Sequence, residues 1–393
     1  MKFDHFRPWI ALLLILSVLI CLCACDSTEP VVTREGVDTV SLCAVGDIYL
    51  TEDILNDCRM GSTRYNFTPL FEQIVPTISR ADIAMGNLEG LFSPAEEGTL
   101  PDALAEALAK TGFDILQTAN SYTVHNGISG IKQTKSVIES NGMSPLGTSS
   151  SEKERREQPV LIREVNGIRL AFIAFTKGFN GIGLPANSEY CTNVLYTDYS
   201  TNYEKIDKTA ITDLVQAAVA ENPDFIIASL HWGSENISGI SSTQETITDL
   251  LLSNGVDVIL GSHSHRLEEV ERRTVKLSEE VEKECIIAYS LGDFCVTDPK
   301  KTSTSIALNL EFSKDQGTGR CWISDLSYTP VSTVYSAKST DHYSMVATKD
   351  AVAQYEGNYY LRVEQEAYDS MVKALEKLDT TIFPPKEEEA PTE

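Results

Sequence analysis

What most constrains this chain is a series of strand-length apolar runs, each closely followed by Gly, Asn, Asp or His and separated from the next by a longer amphipathic stretch. The runs are Val40–Val45, Ile83–Met85, Ile115–Leu116, Leu170–Ala174, Phe225–Leu230, Val256–Leu260 and Cys285–Tyr289. Helix-like segments lie between them, among them Asp102–Lys110, Gly130–Ser140, Tyr203–Ala220 and Thr243–Ser253. This alternation predicts an α/β domain in which helices cover buried strands. Ligands of such sheets gather outside the carboxyl ends of the strands, so the polar residues after the runs can converge.

The texture changes after about Thr302. Ser305–Phe312 and Cys321–Leu326 alternate apolar with polar residues and read as a closing antiparallel ribbon. An amphipathic helix over about Asn358–Leu378 follows, then an acidic, Pro-containing end expected to be disordered. The expected organisation is a leader over 1–24, a tether over 25–38, a main domain over 39–300, a ribbon and helix over 301–380 that complete it, and a tail over 381–393.

The leader carries Lys2 and Arg7, an apolar run from Trp9 to Leu22, and Leu22-Cys23-Ala24-Cys25. That order reads as a secretory signal. A run of about 14 residues falls short of the roughly 20 that span a bilayer as a helix. An aliphatic residue three places before a cysteine, with a small residue just before it, is the pattern of a bacterial lipobox. Cys25 is therefore the expected lipidation site, giving an anchor of two or three acyl chains on the extracellular face of the cell membrane.

The formal charge of −25 makes the chain a poor nucleic-acid partner, because it repels phosphate instead of displacing its counterions. Beyond Cys25 the cysteines are Cys43, Cys58, Cys191, Cys285, Cys295 and Cys321, with no C-x-x-C pair. Such scattered spacing argues against a structural zinc site and leaves buried thiols or one or two disulfides open.

Three of the six histidines follow apolar runs: His231 in Leu230-His231-Trp232-Gly233, and His263 and His265 in Gly261-Ser262-His263-Ser264-His265. Alternate residues of an extended segment point the same way, so His263 and His265 are expected to face one site. Asp47 follows the first run and Glu89 the second. Imidazoles with carboxylates suit divalent manganese, zinc or iron. Two such ions can clamp the attacking and leaving oxygens of a displacement.

Seven motifs, in order, resemble the CapA family of capsule biosynthesis and poly-γ-glutamate synthesis, within the metallophosphoesterase-like proteins. They are Ala44-Val45-Gly46-Asp47-Ile48, Gly86-Asn87-Leu88-Glu89, Leu116-Gln117-Thr118-Ala119-Asn120, Ala174–Gly181, Leu230–Glu235, Gly261–His265 and Tyr289-Ser290-Leu291-Gly292-Asp293-Phe294. The resemblance implies a four-layer αββα metallophosphoesterase-like sandwich, completed here by the C-terminal β ribbon and helix. It implies metal ligands at Asp47, Glu89 or Asn87, His231, His263 and His265, with His231 and His263 serving one ion and Asp47 and His265 the other. It also implies a substrate-facing set of Asn120, Lys177, Asn180, Trp232 and Glu235, with Trp232 and Glu235 shaping the pocket floor.

The chain departs from the family where Asn-Asn-His is usual. Here the stretch is Asn120-Ser121-Tyr122, so Ser121 stands at a ligand position and Tyr122 at that of the proton donor. A phenol with an ordinary pKa near 10 is a weak acid for a leaving group at neutral pH. His125, one helical turn on, is the alternative donor. Two readings follow from the resemblance. One is a surface hydrolase or transferase acting on an anionic extracellular polymer or its precursor, with His231 and Tyr122 or His125 as catalytic groups. The other is a non-catalytic polymer-binding or assembly subunit of a membrane synthase or exporter. A generic solute-binding lipoprotein is a third class, but it has no need of paired histidines at strand ends.

Overall fold

The computed structural model describes residues 36–93, 98–237, 239–276, 282–295, 302–358 and 363–384. The expected leader, the Cys25 anchor, the tether up to residue 35 and the tail from residue 385 lie outside the described residues. The described residues from Asp38 onward form one compact unit. Among the described residues no helix is long and apolar enough to cross a membrane.

Two sheets make the centre of this unit. The first contains β1 (Val37–Ile48), β2 (Ile83–Leu88), β3 (Ile115–Gln117), β4 (Ser144–Leu146), β11 (Ser303–Asp315), β12 (Cys321–Tyr335) and β13 (Tyr343–Ala347), in the order β13-β12-β11-β1-β2-β3-β4. The second contains β5 (Leu161–Val165), β6 (Ile168–Thr176), β7 (Phe225–His231), β8 (Val258–Ser262), β9 (Val270–Lys276) and β10 (Glu282–Ala288), in the order β5-β6-β7-β8-β10-β9. The run β1-β2-β3-β4 is parallel, as is β6-β7-β8-β10. Helices carry the chain back between most of those parallel strands, and between β8 and β10 the antiparallel strand β9 does so.

Strand alternation explains the layers. Leu42 and Ala44 of β1, Leu170 and Phe172 of β6, and Phe225 and Ile227 of β7 share one core between the sheets. Their neighbours point the other way. Cys43 and Val45 pack with Leu104, Leu108 and Ile138 of the helices Ala103–Thr111 and Gly127–Ser140. Ala171, Ile173, Ile226 and Ala228 pack with Ile211, Val215, Ile247 and Leu251 of the helices Lys208–Ala220 and Ser242–Ser253. The result is helices, sheet, sheet, helices, the four layers that the resemblance implies. Each fully buried Ile, Leu or Phe contributes about 1.5–3 kcal/mol, so both faces of each parallel strand stabilise the stack.

Local signals fix the helix ends. Ser241 and Gln244 form a reciprocal capping box at the start of Ser242–Ser253, and the Asp207 carboxylate accepts from Ala210 N at the start of Lys208–Ala220. The latter helix therefore begins five residues after the expected Tyr203. The ribbon β11–β12 is antiparallel, continues into β13, and lies beside β1 as part of the first sheet. The expected helix over Asn358–Leu378 is found as Gln365–Ile382, and a further helix, Thr348–Glu356, precedes it. All six described cysteines are free thiols, five of them buried.

Candidate metal centre

The parallel strands of both sheets end at the same edge of the sandwich, and the residues continuing their inter-sheet faces are polar. In β2, Ile83 and Met85 face the other sheet, and Asn87 follows in phase. In β7, Phe225 and Ile227 are followed by Ser229 and His231. Gln117 at the end of β3 bonds Ser229 across the gap. Asp47 reaches this face through an irregularity. Ala44 pairs with Met85 and Asp47 with Asn87, so β1 uses three residues where β2 uses two. Such a bulge re-aims a side chain, and here it turns Asp47 toward Asn87, whose Nδ2 donates to Asp47 Oδ1 at 2.6 Å.

Gly46 makes the bulge fit. A Cβ at this position would lie 1.8 Å from the Gly292 carbonyl oxygen. That oxygen accepts from Asp47 N at 2.9 Å, and Phe294 N donates back to Asp47 O at 2.9 Å. The end of β1 is thus locked to the loop carrying Asp293.

Two ligand groups abut here. Glu89, His231 and His263 bring donor atoms within 4.8 Å of one another, and so do Asp47, His265 and Asp293. Glu89 faces both. Its Oε1 is 3.5 Å from His231 Nε2, and its Oε2 is 3.8 Å from His265 Nε2. Asp47 Oδ2 accepts from His263 N at 2.9 Å.

The side-by-side presentation of His263 and His265 does not come from an extended strand. β8 ends at Ser262, and His263 and His265 take left-handed φ values of 91° and 57°. A non-glycine residue in this region costs of order 1 kcal/mol, and such outliers cluster at functional sites.

The charges are frustrated. Burial, then the Asp293 carboxylate, pushes Asp47 up to about 6 against the opposing pull of His265 and Asn87. Burial and then Asp47 hold Glu89 well above the usual carboxylate range. Burial, then His263, His265 and Lys177, hold His231 well below an ordinary imidazole, and burial with Lys177 takes His263 down to about 3. His265 goes the other way: burial opposes its charge, but the bond to Asp293 and the nearby Glu89 and Asp47 push it up to about 10. The three carboxylates thus favour positive charge at His265, the position where a cation bound by this group would sit.

A divalent cation fits this set. Asn87 Oδ1, Glu89 Oε2 and His263 Nδ1 are buried with no hydrogen-bond partner among the described residues, where native structures rarely leave such atoms unsatisfied. Neutral imidazoles and carboxylates are the donors that manganese, iron or zinc take.

Other expected residues divide. Ser121 Oγ lies 2.9 Å from His231 Nε2. Lys177, Asn180 and Glu235 line a cavity of about 210 Å³ together with Ser121, His263 and Tyr203. Tyr122 stacks on Tyr49, which packs against His265, while His125 packs behind Tyr122 at 4.9 Å between ring centroids. His125 is on the turn before the helix Gly127–Ser140, with His125 N bonded to Tyr122 O, not on a helix with it. Two tyrosine rings therefore link it to the ligand groups.

Trp232 does not shape the pocket floor. It is buried in the outer helix-covered core, stacked on Tyr289, with Nε1 donating to the Tyr289 carbonyl at 2.9 Å. Its place one residue after His231 puts it on the opposite face of the sheet. Asn120 is likewise structural: its Nδ2 donates to Leu88 O and its Oδ1 accepts from Tyr122 N, tying this loop to β2. Asp293, by contrast, is a site residue that histidine spacing alone passes over. Its signal was present, an aspartate just beyond the run Cys285–Tyr289 and inside a motif shared with the family.

Residues 41–298 match the family described as bacterial capsule synthesis protein PGA_cap. This chain belongs to that family. Among similar proteins, the capsule biosynthesis protein CapA of Bacillus anthracis is 26% identical over 313 residues, covering 75% of this chain and 68% of that one. The PGA biosynthesis protein CapA of Bacillus subtilis (strain 168) is 23% identical over 300 residues, covering 74% of this chain and 72% of that one. Among solved structures, the calcineurin-like phosphoesterase YfkN from Bacillus subtilis aligns with a TM-score of 0.41 at 14% identity, covering 87% of this chain and 98% of that one. The PGA_cap match spans the strand ends that carry Asp47, Glu89, His231, His263, His265 and Asp293.

Proposed function

We propose that this chain is a lipid-anchored protein of the cell surface that works in capsule or poly-γ-glutamate production through a divalent-metal hydrolase or transferase site acting on an anionic polymer. The observation that carries this reading is Glu89, whose two carboxylate oxygens face a histidine of each ligand group. A carboxylate so placed suits a pair of neighbouring ions. Ions bound there supply Lewis acidity toward an acyl or phosphoryl oxygen and toward water. The chain's own residues hold the geometry. Asn87 orients Asp47, Asp293 orients His265 through Nδ1 and leaves Nε2 toward Glu89, and Ser121 reaches His231 from the cavity side. Supporting groups of this kind set ligand orientation and basicity. Membership of a capsule-synthesis family supports the polymer class, and the Leu22–Cys25 lipobox supports the anchor.

Ser121 and Tyr122 favour a second reading, a polymer-binding or assembly subunit of a membrane synthase or exporter that keeps the pocket without turnover. Tyr122 is packed between Tyr49 and His125, and a Cβ on Gly98 would meet its ring at 2.3 Å. A ring wedged in this way has little freedom to follow a leaving group. Assays of the metal-loaded chain on γ-linked glutamate polymer and on model phosphodiesters separate the readings. Turnover of either substrate, abolished by Glu89→Gln, is the expected result. Polymer binding with no turnover of either would replace the enzyme by the subunit.

A further inference from the structure

The cavity beside the first ligand group contains one feature that metal binding does not use. Lys177 is the only cation among its described lining residues. Lys177 N donates to His231 O at 2.8 Å, which ties this loop to the end of β7. Its Nζ donates to the Gly233 carbonyl at 2.5 Å and sits 4.7 Å from the centroid of the Tyr203 ring. Among the described residues no carboxylate comes within ion-pair distance of it; Glu235 lies exposed at the cavity's lip. An ammonium has three N–H donors, so one carbonyl and one aromatic face leave it under-satisfied toward the space it lines. Burial draws its pKa below that of an ordinary lysine, and the Glu235 carboxylate opposes that shift.

The surroundings hold this ammonium at some cost. Tyr203 adopts a left-handed φ of 57°, unfavourable for a bulky residue by of order 1 kcal/mol. Tyr196 packs edge-on behind it, 6.1 Å between centroids. Gly178 lets the ring close down: a Cβ there would lie 2.7 Å from Tyr203 Cε1 and 2.3 Å from the Tyr199 carbonyl oxygen. A strained tyrosine, a glycine and a backbone carbonyl together fix one positive charge next to His263 and Ser121, in a chain whose net charge is −25.

We propose that Lys177 and Tyr203 form an oxyanion subsite beside the Glu89, His231 and His263 group, which takes a carboxylate or phosphate of an anionic substrate. This rests on the reading that the cavity is the working site, and it adds a group that positions substrate independently of the metal. A polymer carboxylate and a phosphate share the required chemistry, a compact anion with several acceptor oxygens.

The test is calorimetric titration of the metal-loaded full chain with inorganic phosphate and, separately, with a γ-linked glutamate oligomer, for wild type, Lys177→Met and Tyr203→Leu. Losing a charge-assisted hydrogen bond should weaken binding about ten- to hundredfold in Lys177→Met at unchanged metal stoichiometry. Tyr203→Leu should weaken it only a few-fold. Should Lys177→Met lose metal or fail to fold, the Tyr203→Leu arm decides. Weakened phosphate binding with no oligomer binding by any form upholds the subsite while removing the polymer reading. Equal affinities in wild type and the decisive variant, or no binding of either probe by wild type, overturn the subsite.

Discussion

Asp293 Oδ1 stands 2.7 Å from His265 Nδ1, joining the loop after β10 to the loop after β8. The bond fixes the ring so that Nε2 faces Glu89. Carboxylates that orient a ligating histidine are commonly worth about 10- to 100-fold in metal affinity. Asp293→Asn keeps the shape and removes the charge, so competition titration should show metal affinity lower by about that factor with the fold intact. Unchanged affinity would assign Asp293 to loop structure alone.

Gly46→Ala probes how the site is built. Its Cβ would meet the backbone of Gly292, which cannot rotate aside as a side chain can. Overpacking of a rigid contact costs about 3 kcal/mol or more. Denaturant unfolding should show that loss, and the variant should bind less metal because the displaced loop carries Asp293. A midpoint within experimental error of wild type would mean that the β1 bulge tolerates a side chain.

Much of this was legible in the sequence. The apolar runs became parallel strands because both of their faces are covered, and polar residues after such strands can only meet at one edge. That placed Asp47, Glu89, His231, His263 and His265 together. Tertiary detail was not legible. The bulge that turns Asp47 depends on Gly46 touching a loop about 246 residues away. Trp232 was misassigned because strand parity sends it to the face opposite His231. The left-handed turns at His263 and His265 leave no mark in spacing. The short or partly exposed strands β4, β5 and β9 lack the apolar density that marked the others.

Glu268 gives a pH dependence separate from the ligands. It is 8% exposed, its Oε2 has no partner among the described residues, and burial, partly offset by Arg266, pushes it from 4.5 up to about 7. The folded chain therefore binds more protons than the unfolded one between these values, and stability falls as pH rises through that window. Glu268→Gln removes the penalty. The variant should match wild type below pH 4.5 and exceed it at pH 8 by about 1 kcal/mol after allowance for solvent screening. Chemical denaturation at the two pH values checks this, and an equal difference at both would exclude a charged Glu268 as the cause.

Ser121 and Tyr122 can be reverted to the family's usual residues. If the site is otherwise intact, Ser121→Asn with Tyr122→His should raise phosphodiester turnover, general-acid help being worth about 10²- to 10⁴-fold. If wild type is instead fully active and His125→Ala abolishes the activity, His125 has taken over the proton-transfer role.

The central claim is that the two abutting groups hold divalent metal, and the most direct test is metal content per chain after reconstitution with manganese or zinc, for wild type and His263→Ala. The account predicts two ions in wild type and fewer in the variant. It also predicts that His263→Ala loses much of the metal-induced rise in unfolding temperature, equivalent to about 2.7 kcal/mol at a free metal concentration of 100 Kd. The same stoichiometry and the same thermal shift in both proteins would contradict it.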